Sequence, residues 1–448
     1  MPSIARKNLF EDIPRLLVAQ AGIMFAVSLI SIQTGLLQGF TRSTALVIER
    51  SKADIWVASK YMMNFELSLP IPYEMLQAAQ KVKGVERAEA LIVQGALWRD
   101  TKGNVSSLRV IGFDTDGELF ALEPIAQGSK NALKQPYTVM VDESTLDSLN
   151  VGWVGDEVEI GAYKAKLVGW TKDTQSMVSS AFTFTSLENA YLYVNSTLST
   201  TPRGQQAEPL TAEKLKQIAA RGEIAEPALA EKIALLSTEQ LQQVIDSGQI
   251  PENLLPTGLQ RPLMAPRKLK AGSRITYILV KAQPNLDIRL LKQQLEAALP
   301  NTRAYTRAEM AERTRRYWLQ RTGIGFILGL GAAVGVIVGA VIVAQILYAS
   351  TSDHIKEFGT LKAMGASDWV IYGIILEQAL WMAVLGYLPG IALCLALASW
   401  TASKGIVILI TPITAAGVFG ITVIMCVSSA VFAIRKVTRL DPAIVFKA

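Results

Sequence analysis

The polar stretch Asp353 to Asp368, reading DHIKEFGTLKAMGASD, lies between two long apolar runs and offers contact chemistry rather than catalysis. Ile355, Phe358, Leu361 and Met364 recur every three residues, which sweeps them over about half a helix circumference instead of a narrow stripe. A short helix lying flat under a membrane fits that pattern. Ser352 or Asp353 is placed to cap its start, Asp353 and Glu357 sit toward the positive end, and Gly365 supplies the stop. Periodicity alone favours an ordinary amphipathic connector.

Elsewhere the chemistry is sparse. The one histidine, His354, has no cysteine or second histidine with which to hold a metal. Both cysteines, Cys394 and Cys426, fall inside apolar runs, so the extramembrane part holds no disulfide. No GxxxxGK[ST] sequence occurs, and the glycines from Gly323 to Gly339 lie in an apolar run rather than after a strand, which excludes a phosphate cradle there. The large middle region has no histidine and no Ser/Lys or carboxylate pair at a telling spacing, which argues against an enzyme. Its last segment, Arg307 to Arg321, is instead a basic helix carrying Arg313, Arg315, Arg316, Tyr317 and Trp318, suited to lipid headgroups or acidic partners.

The elements that position these residues follow from hydropathy. With 50% hydrophobic and 18% charged residues over 448 positions, and a mean hydropathy of +0.29, the chain reads as a membrane protein carrying a sizeable folded domain. The net charge of +6 is modest and no Lys/Arg run exceeds three, so nucleic-acid binding is excluded in favour of membrane-flanking positions. Four spans are predicted over 16–40, 322–350, 370–400 and 411–434, each long enough for a hydrocarbon core of roughly 30 Å. The first reads as an uncleaved anchor rather than a signal peptide, because its apolar part is long and lacks a small-x-small cleavage site. Gly331, Gly335 and Gly339, four residues apart, permit close helix approach, and Pro389 with Gly390 predicts a kink.

Residues 41–321 make one domain with a helical stalk at each end, Thr41 to Ser51 and Arg307 to Arg321. Strands are predicted at Asp54 to Ala58, Arg87 to Trp98, Ser107 to Phe113, Thr138 to Val141, Glu157 to Ile160, Ala165 to Trp170, Ile275 to Val280 and Arg303 to Tyr305. Helices are predicted at Tyr73 to Val82 and Asp287 to Ala298. Strand, helix, strand at each end implies a split α+β layer with β-rich material between its halves. The block 199–271 departs in composition and contains an internal echo, LTAEKLKQIAARGEI at Leu210 to Ile224 against LSTEQLQQVIDSGQI at Leu236 to Ile250. Two matched helices stopped by Gly222 and Gly248, with a third at Pro227 to Leu235, make it an inserted helical subdomain. A structural spacer is the plainer role, and a docking surface the alternative. Pro251, Pro256, Pro262 and Pro266 mark an irregular return to the core.

Charge sets the orientation. Arg6, Lys7, Arg15, Lys356, Lys362, Arg435, Lys436, Arg439 and Lys447 share one side of a four-span layout, against Lys404 alone in the short opposite loop. The segment 1–15, the loop 351–369 and the tail 435–448 are therefore expected in the cytoplasm, with the large domain outside. Arg313, Arg315, Arg316 and Arg321 pull the other way, but they precede a span within a long exported domain, where charge has less influence.

EFGTLKAMGAS (Glu357 to Ser367) followed by a long apolar helix resembles the signature of the FtsX/MacB/LolC family, the membrane subunits of type VII ABC machines. The resemblance implies a membrane α-helical fold with four transmembrane helices and a large α+β extracytoplasmic domain, the MacB-type periplasmic core, between helices 1 and 2. It also implies that the loop is a cytoplasmic coupling helix seated on a separate ABC ATPase through Ile355, Glu357, Phe358, Gly359, Leu361, Lys362, Met364 and Gly365. Phe358, Leu361 and Met364 would form an apolar knob, Glu357 and Lys362 its rim charges, and Arg313, Arg315, Arg316 and Trp318 would belong to the stalk. No cofactor is expected in this chain, since ATP and Mg would lie on the partner.

The start of span 1, RLLVAQAGIMFAVSLISIQTGLLQGF, the ADIWVAS strand and the unfused format look most like DevC-type permeases of cyanobacterial exporters. The MacB-type resemblance implies an inner-membrane homodimer or paralogue heterodimer that expels its substrate by mechanotransmission, and the DevC likeness adds a periplasmic adaptor of the membrane fusion type, an outer-membrane duct and an amphiphilic substrate. The 199–271 insertion departs from the pattern and leaves open how an adaptor docks. An FtsX-like signalling subunit that activates a periplasmic hydrolase without transport is the alternative.

Overall fold

The computed structural model describes residues 4–198, 208–221, 224, 227–247, 259–260, 266–402 and 407–438, which divide into two compact units, Met1–Ala45 with Arg315–Ala448, and Leu46–Thr314. The chain opens with α1 (Ile4–Glu11) and α2 (Ile13–Arg50), then β1 (Ile55–Ser59), β2 (Ile71–Pro72), α3 (Glu74–Gln80), β3 (Val85–Arg99) and β4 (Val105–Phe113). Next come β5 (Ile125–Gln127), β6 (Thr138–Asp142), α4 (Leu146–Leu149), β7 (Glu157–Ile160), β8 (Tyr163–Thr171), β9 (Ala181–Ser186) and α5 (Leu187–Val194). After β10 (Glu208–Pro209) follow α6 (Ala212–Ala220), α7 (Pro227–Leu235), α8 (Thr238–Ser247) and β11 (Leu259–Gln260). The chain then continues through β12 (Arg274–Ile275), β13 (Tyr277–Ala282), α9 (Ile288–Ala298), β14 (Thr302–Thr306) and α10 (Arg307–Thr322). It ends with α11 (Ile324–Asp353), α12 (Ile355–Ala363), α13 (Asp368–Ala402) and α14 (Pro412–Thr438).

In the unit Leu46–Thr314, four antiparallel strands lie in the order β14, β1, β13, β3. Numbered among themselves this is the 4-1-3-2 order of a ferredoxin-like split βαβ repeat, with α3 and α9 as its helices. β3 is the long member at 15 residues. Its first half pairs with β13, its second half with β4, and its last two residues, Trp98 and Arg99, with β7. From β4 the ladder runs through β9, β6 and β8 to β7 and so back to β3, closing the inserted β-rich lobe into a ring. β8 alternates a buried with a more exposed residue along its length, as expected for one face on the core and one on water, whereas β1 is buried throughout because both its faces are covered. One continuous core joins both lobes, from Ile55 and Val57 through Ile92 and Trp98 to Val139, Leu167 and Leu295.

Local chemistry fixes the helix starts. The Asp287 carboxylate accepts from the Arg289 amide at 2.9 Å at the head of α9, and Ser186 plays the same part for α5 through the Asn189 amide. Ile275 to Val280, expected as one strand, is divided at Thr276. Its hydroxyl donates to the Val93 carbonyl and accepts the Val93 amide at 2.8 Å, so a side chain stands in for the ladder. The three helices of the insertion share a small core of their own around Leu215, Ile218, Ile233, Leu241 and Ile245. Gly222, Gly248, Pro251, Pro256 and Pro262 lie outside the described residues.

The other unit holds four helices long and apolar enough to cross a membrane, Ile13–Arg50, Ile324–Asp353, Asp368–Thr401 and Pro412–Arg435. Glycines set their spacing. A Cβ at Gly339 would stand 2.7 Å from Ala26 Cβ and 2.5 Å from Met425 Sδ, and one at Gly335 would stand 3.3 Å from Ile30 and Leu29. Only hydrogen lets α11 come this close to α2 and α14. Gly390 plays the same part between α13 and α2, where an added Cβ would meet Val27 at 2.9 Å. Pro389 sits inside α13 and removes one helical donor, and the Ser28 hydroxyl reaches the neighbouring Gly390 carbonyl from α2 at 3.4 Å.

α2 runs unbroken from the first span to Arg50, as expected of a stalk continuing through Thr41 to Ser51. Two other helix limits depart from the sequence reading. Arg307 to Arg321 does not feed straight into span 2, because Gly323 adopts φ of 63° and separates α10 from α11. α11 continues past Ser350 to Asp353, so neither Ser352 nor Asp353 caps the next helix. His354 occupies that place without a side-chain capping bond. Lys404, Arg439 and Lys447 lie outside the described residues.

Candidate functional site

The turn between spans 2 and 3 is built by α12 and its two ends. Its close is a Schellman motif: the Gly365 amide donates to the Lys362 carbonyl and the Ala366 amide to the Leu361 carbonyl, both at 3.0 Å. Gly365 carries φ of 90°, the left-handed conformation this motif needs. The start is held by ion pairs. Asp353 binds Arg15, which also meets Asp12 at 3.4 Å, so the first residues of span 1 are tied to the last of span 2. His354 Nδ1 lies 3.1 Å from Glu357 Oε1, and Lys362 Nζ lies 2.8 Å from Asp368 Oδ1, a carboxylate in the first turn of α13 where the helix dipole favours it.

The apolar residues of α12 do not share one face. Phe358 is 1% exposed and packs with Leu347, Ile371, Ile375 and the rest of the bundle core, and Gly359 beside it is buried. Ile355 and Leu361 are half-buried. Met364, by contrast, is 72% exposed. Phe358 and Gly359 are therefore anchors in the bundle rather than parts of an outward knob, because a spacing of three carries residues around the helix. Glu357 is exposed but engaged with His354, and Lys362 is half-buried against Asp368. The outward apolar surface is Met364 with Trp369, 81% exposed, and Val370, 51% exposed. The sequence reading placed Trp369 and Val370 at the span boundary; their position just after a polar turn was the signal for them.

Of the stalk residues, Arg313 lies in the outer unit, where its guanidinium donates to the Met62 carbonyl at 2.9 Å and stands 5.5 Å over the Tyr305 ring. Arg315, Arg316 and Trp318 fall in the helical unit, and Trp318 packs edge-on against Tyr317 with ring centroids 5.5 Å apart. In the outer unit one buried carboxylate stands apart. Burial pushes Glu66 up, opposed by the Ser179 hydroxyl at 2.6 Å and by Arg109 at 3.3 Å. This is a structural pair fixing a loop to the sheet. Among the described residues, no group of three or more His, Cys, Asp or Glu side chains is placed to hold a metal ion.

Two family models match the chain, the MacB-like periplasmic core domain over residues 16–234 and the FtsX-like permease C-terminal region over residues 329–442. Among curated proteins the chain is similar to the pyoverdine export ATP-binding/permease protein PvdT of Pseudomonas syringae, 29% identical over 160 residues, covering 36% of this chain and 24% of that relative. PvdT of Pseudomonas putida is 29% identical over 122 residues, covering 27% and 19%. The match thus spans about a quarter or less of these relatives' length.

Two solved structures are also similar. One is the periplasmic region of MacB from Actinobacillus actinomycetemcomitans, with a TM-score of 0.30 at 9% identity over 58% of this chain and 92% of that one. The other is the extracellular domain of YknZ from Gram-positive bacteria, with a TM-score of 0.30 at 8% identity over 56% and 98%. The assignment rests on the family models, which account in turn for span 1 with the outer domain as far as residue 234, and for spans 2 to 4 with the turn between spans 2 and 3. The chain belongs to the FtsX/MacB-type ABC transporter permeases, multi-pass inner-membrane proteins that carry a MacB-like periplasmic core domain after the first span.

Proposed function

We propose that this chain is the permease of an ATP-driven exporter and that α12, with the turn after it, is the seat of an ABC ATPase carried on a separate polypeptide. The observation that carries the reading is the division of α12 into an inner anchor, Phe358 and Gly359, and an outer surface, Met364 with Trp369 and Val370. A partner pressing on the outer surface moves a helix whose other side is locked into the spans. Ile355 and Leu361 flank that surface, Glu357 and Lys362 set its charge, and Gly365 sets its turn. No phosphate-binding loop occurs within these 448 residues, so they do not themselves hold ATP and Mg in a Walker-type site.

The same reading extends to the rest of the assembly. Two copies of the permease, or a paralogue pair, work with two ATPase subunits, and the stroke passes to the outer domain by mechanotransmission. There it expels an amphiphile through a periplasmic adaptor and an outer-membrane duct, as in DevC-type systems. The relatives named for pyoverdine export support export over signalling. The test is co-purification of the ATPase with a Met364→Asp chain. Loss of the complex with an unchanged melting profile is expected, and normal recovery of the complex overturns the assignment.

A further inference from the structure

Resting on the exporter reading, we infer that the loop Lys60 to Leu69 of the outer domain binds one long-chain anionic amphiphile. Its chain lies on Tyr61, Met63, Leu67 and Leu69, and its head on Lys60, Arg303 and Arg313. The loop is firmly built. The Tyr277 hydroxyl serves the Asn64 and Phe65 carbonyls at 3.1 and 2.7 Å, the Phe65 amide donates to Thr314 Oγ1 at 3.2 Å, and Asn64 Oδ1 accepts the Glu66 and Leu67 amides at 2.9 and 2.8 Å. Phe65 stacks on Tyr277 at 6.0 Å and meets Trp56 edge-on at 6.0 Å.

Yet this ordered loop holds Tyr61, Met63, Leu67 and Leu69 out in solvent at 64%, 55%, 42% and 55% exposure. Four exposed apolar side chains within nine residues, on a loop that is itself pinned from beneath, offer a surface to an apolar ligand. Charge selects the head. Lys60 Nζ stands 5.0 Å over the Tyr61 ring, and Arg313 is fixed to the loop through Met62. Arg303 pairs opposite Ala58, two residues from Tyr305, so alternation puts it on the face where Tyr305 lies under Arg313. The loop's one acid, Glu66, is buried and paired with Arg109, so it does not offset that collar. Four apolar side chains beside three basic groups match an acyl chain with an anionic head better than a protein surface, which would bring its own acids and cover more area.

The experiment uses the full chain in phosphatidylcholine nanodiscs, a photoactivatable diazirine palmitic acid as probe, and mass spectrometry of the labelled peptides. Labelling of the 61–69 peptide is expected, competed by excess palmitate but not by the neutral monoglyceride or by inorganic phosphate. In Lys60→Gln with Arg303→Gln, and in Met63→Ser with Leu69→Ser, that labelling falls at least fivefold while labelling of the spans stays constant as the internal control. A matched pair of exposed apolar changes elsewhere, Leu97→Ser with Val105→Ser, leaves it unchanged. Absence of loop labelling, equal competition by the monoglyceride, competition by phosphate alone, or labelling indifferent to both loop variants overturns the inference. Because Met364→Asp is expected to lose the ATPase and still label at the loop, failure of this site and failure of the exporter reading are told apart.

Discussion

Replacing Phe358 by alanine separates an anchoring role for this residue from a direct one in ATPase contact. The ring is 1% exposed and faces the bundle core. A buried aromatic removes about 150 to 250 Å² from solvent, and at about 25 cal/mol per Å² the part beyond a methyl group is worth roughly 3 to 5 kcal/mol as an upper bound. Measured aromatic-to-alanine changes in packed interiors fall in the same range, about 3 to 5 kcal/mol. For a unit the size of the helical bundle this lowers the melting midpoint by about 6 to 20 °C. The assay is thermal unfolding of the full chain in detergent, read beside ATPase co-purification. Phe358→Ala is expected to lose both thermal stability and the ATPase, whereas Phe358→Leu keeps most of each. A Phe358→Ala chain that melts like the parent while losing the ATPase would place the ring on the outer surface and refute the anchoring argument.

Gly339→Leu inserts a side chain where even a Cβ stands 2.7 Å from Ala26, so α11 must move away from α2; a loss of about 1 to 3 kcal/mol is expected in denaturant titration of the detergent-solubilised chain. Glu66→Ala leaves the half-buried Arg109 without its carboxylate, so the outer domain is expected to lose up to about 3 kcal/mol by thermal melting, more than Glu66→Gln loses. Burial alone would raise the Asp100 carboxyl, but the Asn104 and Asn150 side chains and the Asn104 and Lys102 amides outweigh it and bring it down to about 2. A carboxylate lowered on folding stabilises above its unfolded value of about 3.9, and that contribution is lost as pH falls toward about 2. Asp100→Asn should therefore flatten the acid limb of a stability profile between those values, while an unchanged limb would assign acid sensitivity elsewhere.

What was legible in the sequence is what periodicity and glycine spacing encode. The apolar runs, the strands at both ends of the outer domain, the three inserted helices and the Gly331, Gly335 and Gly339 notches follow from composition and period. Ring closure did not. The strand Ala181–Ser186 is buried with no clean alternation, and its parallel pairing to β4 is long-range, so no local pattern announces it. Thr276 reads as a β-former and in fact interrupts a strand, because its hydroxyl competes for the backbone of Val93. In the turn between spans 2 and 3 the helix and its glycine stop were readable, but which residue faces inward was not. Three-residue spacing leaves the buried side undetermined until Phe358 meets the other helices.

The long strand Val85–Arg99 is a common member of the four-stranded layer and of the ring. Its amides hold neighbours in both lobes, so neither lobe can loosen along that line without breaking bonds of the other. Hydrogen exchange along this strand should therefore proceed as a single cooperative opening, and the outer domain should transmit a displacement as one body instead of bending at its middle.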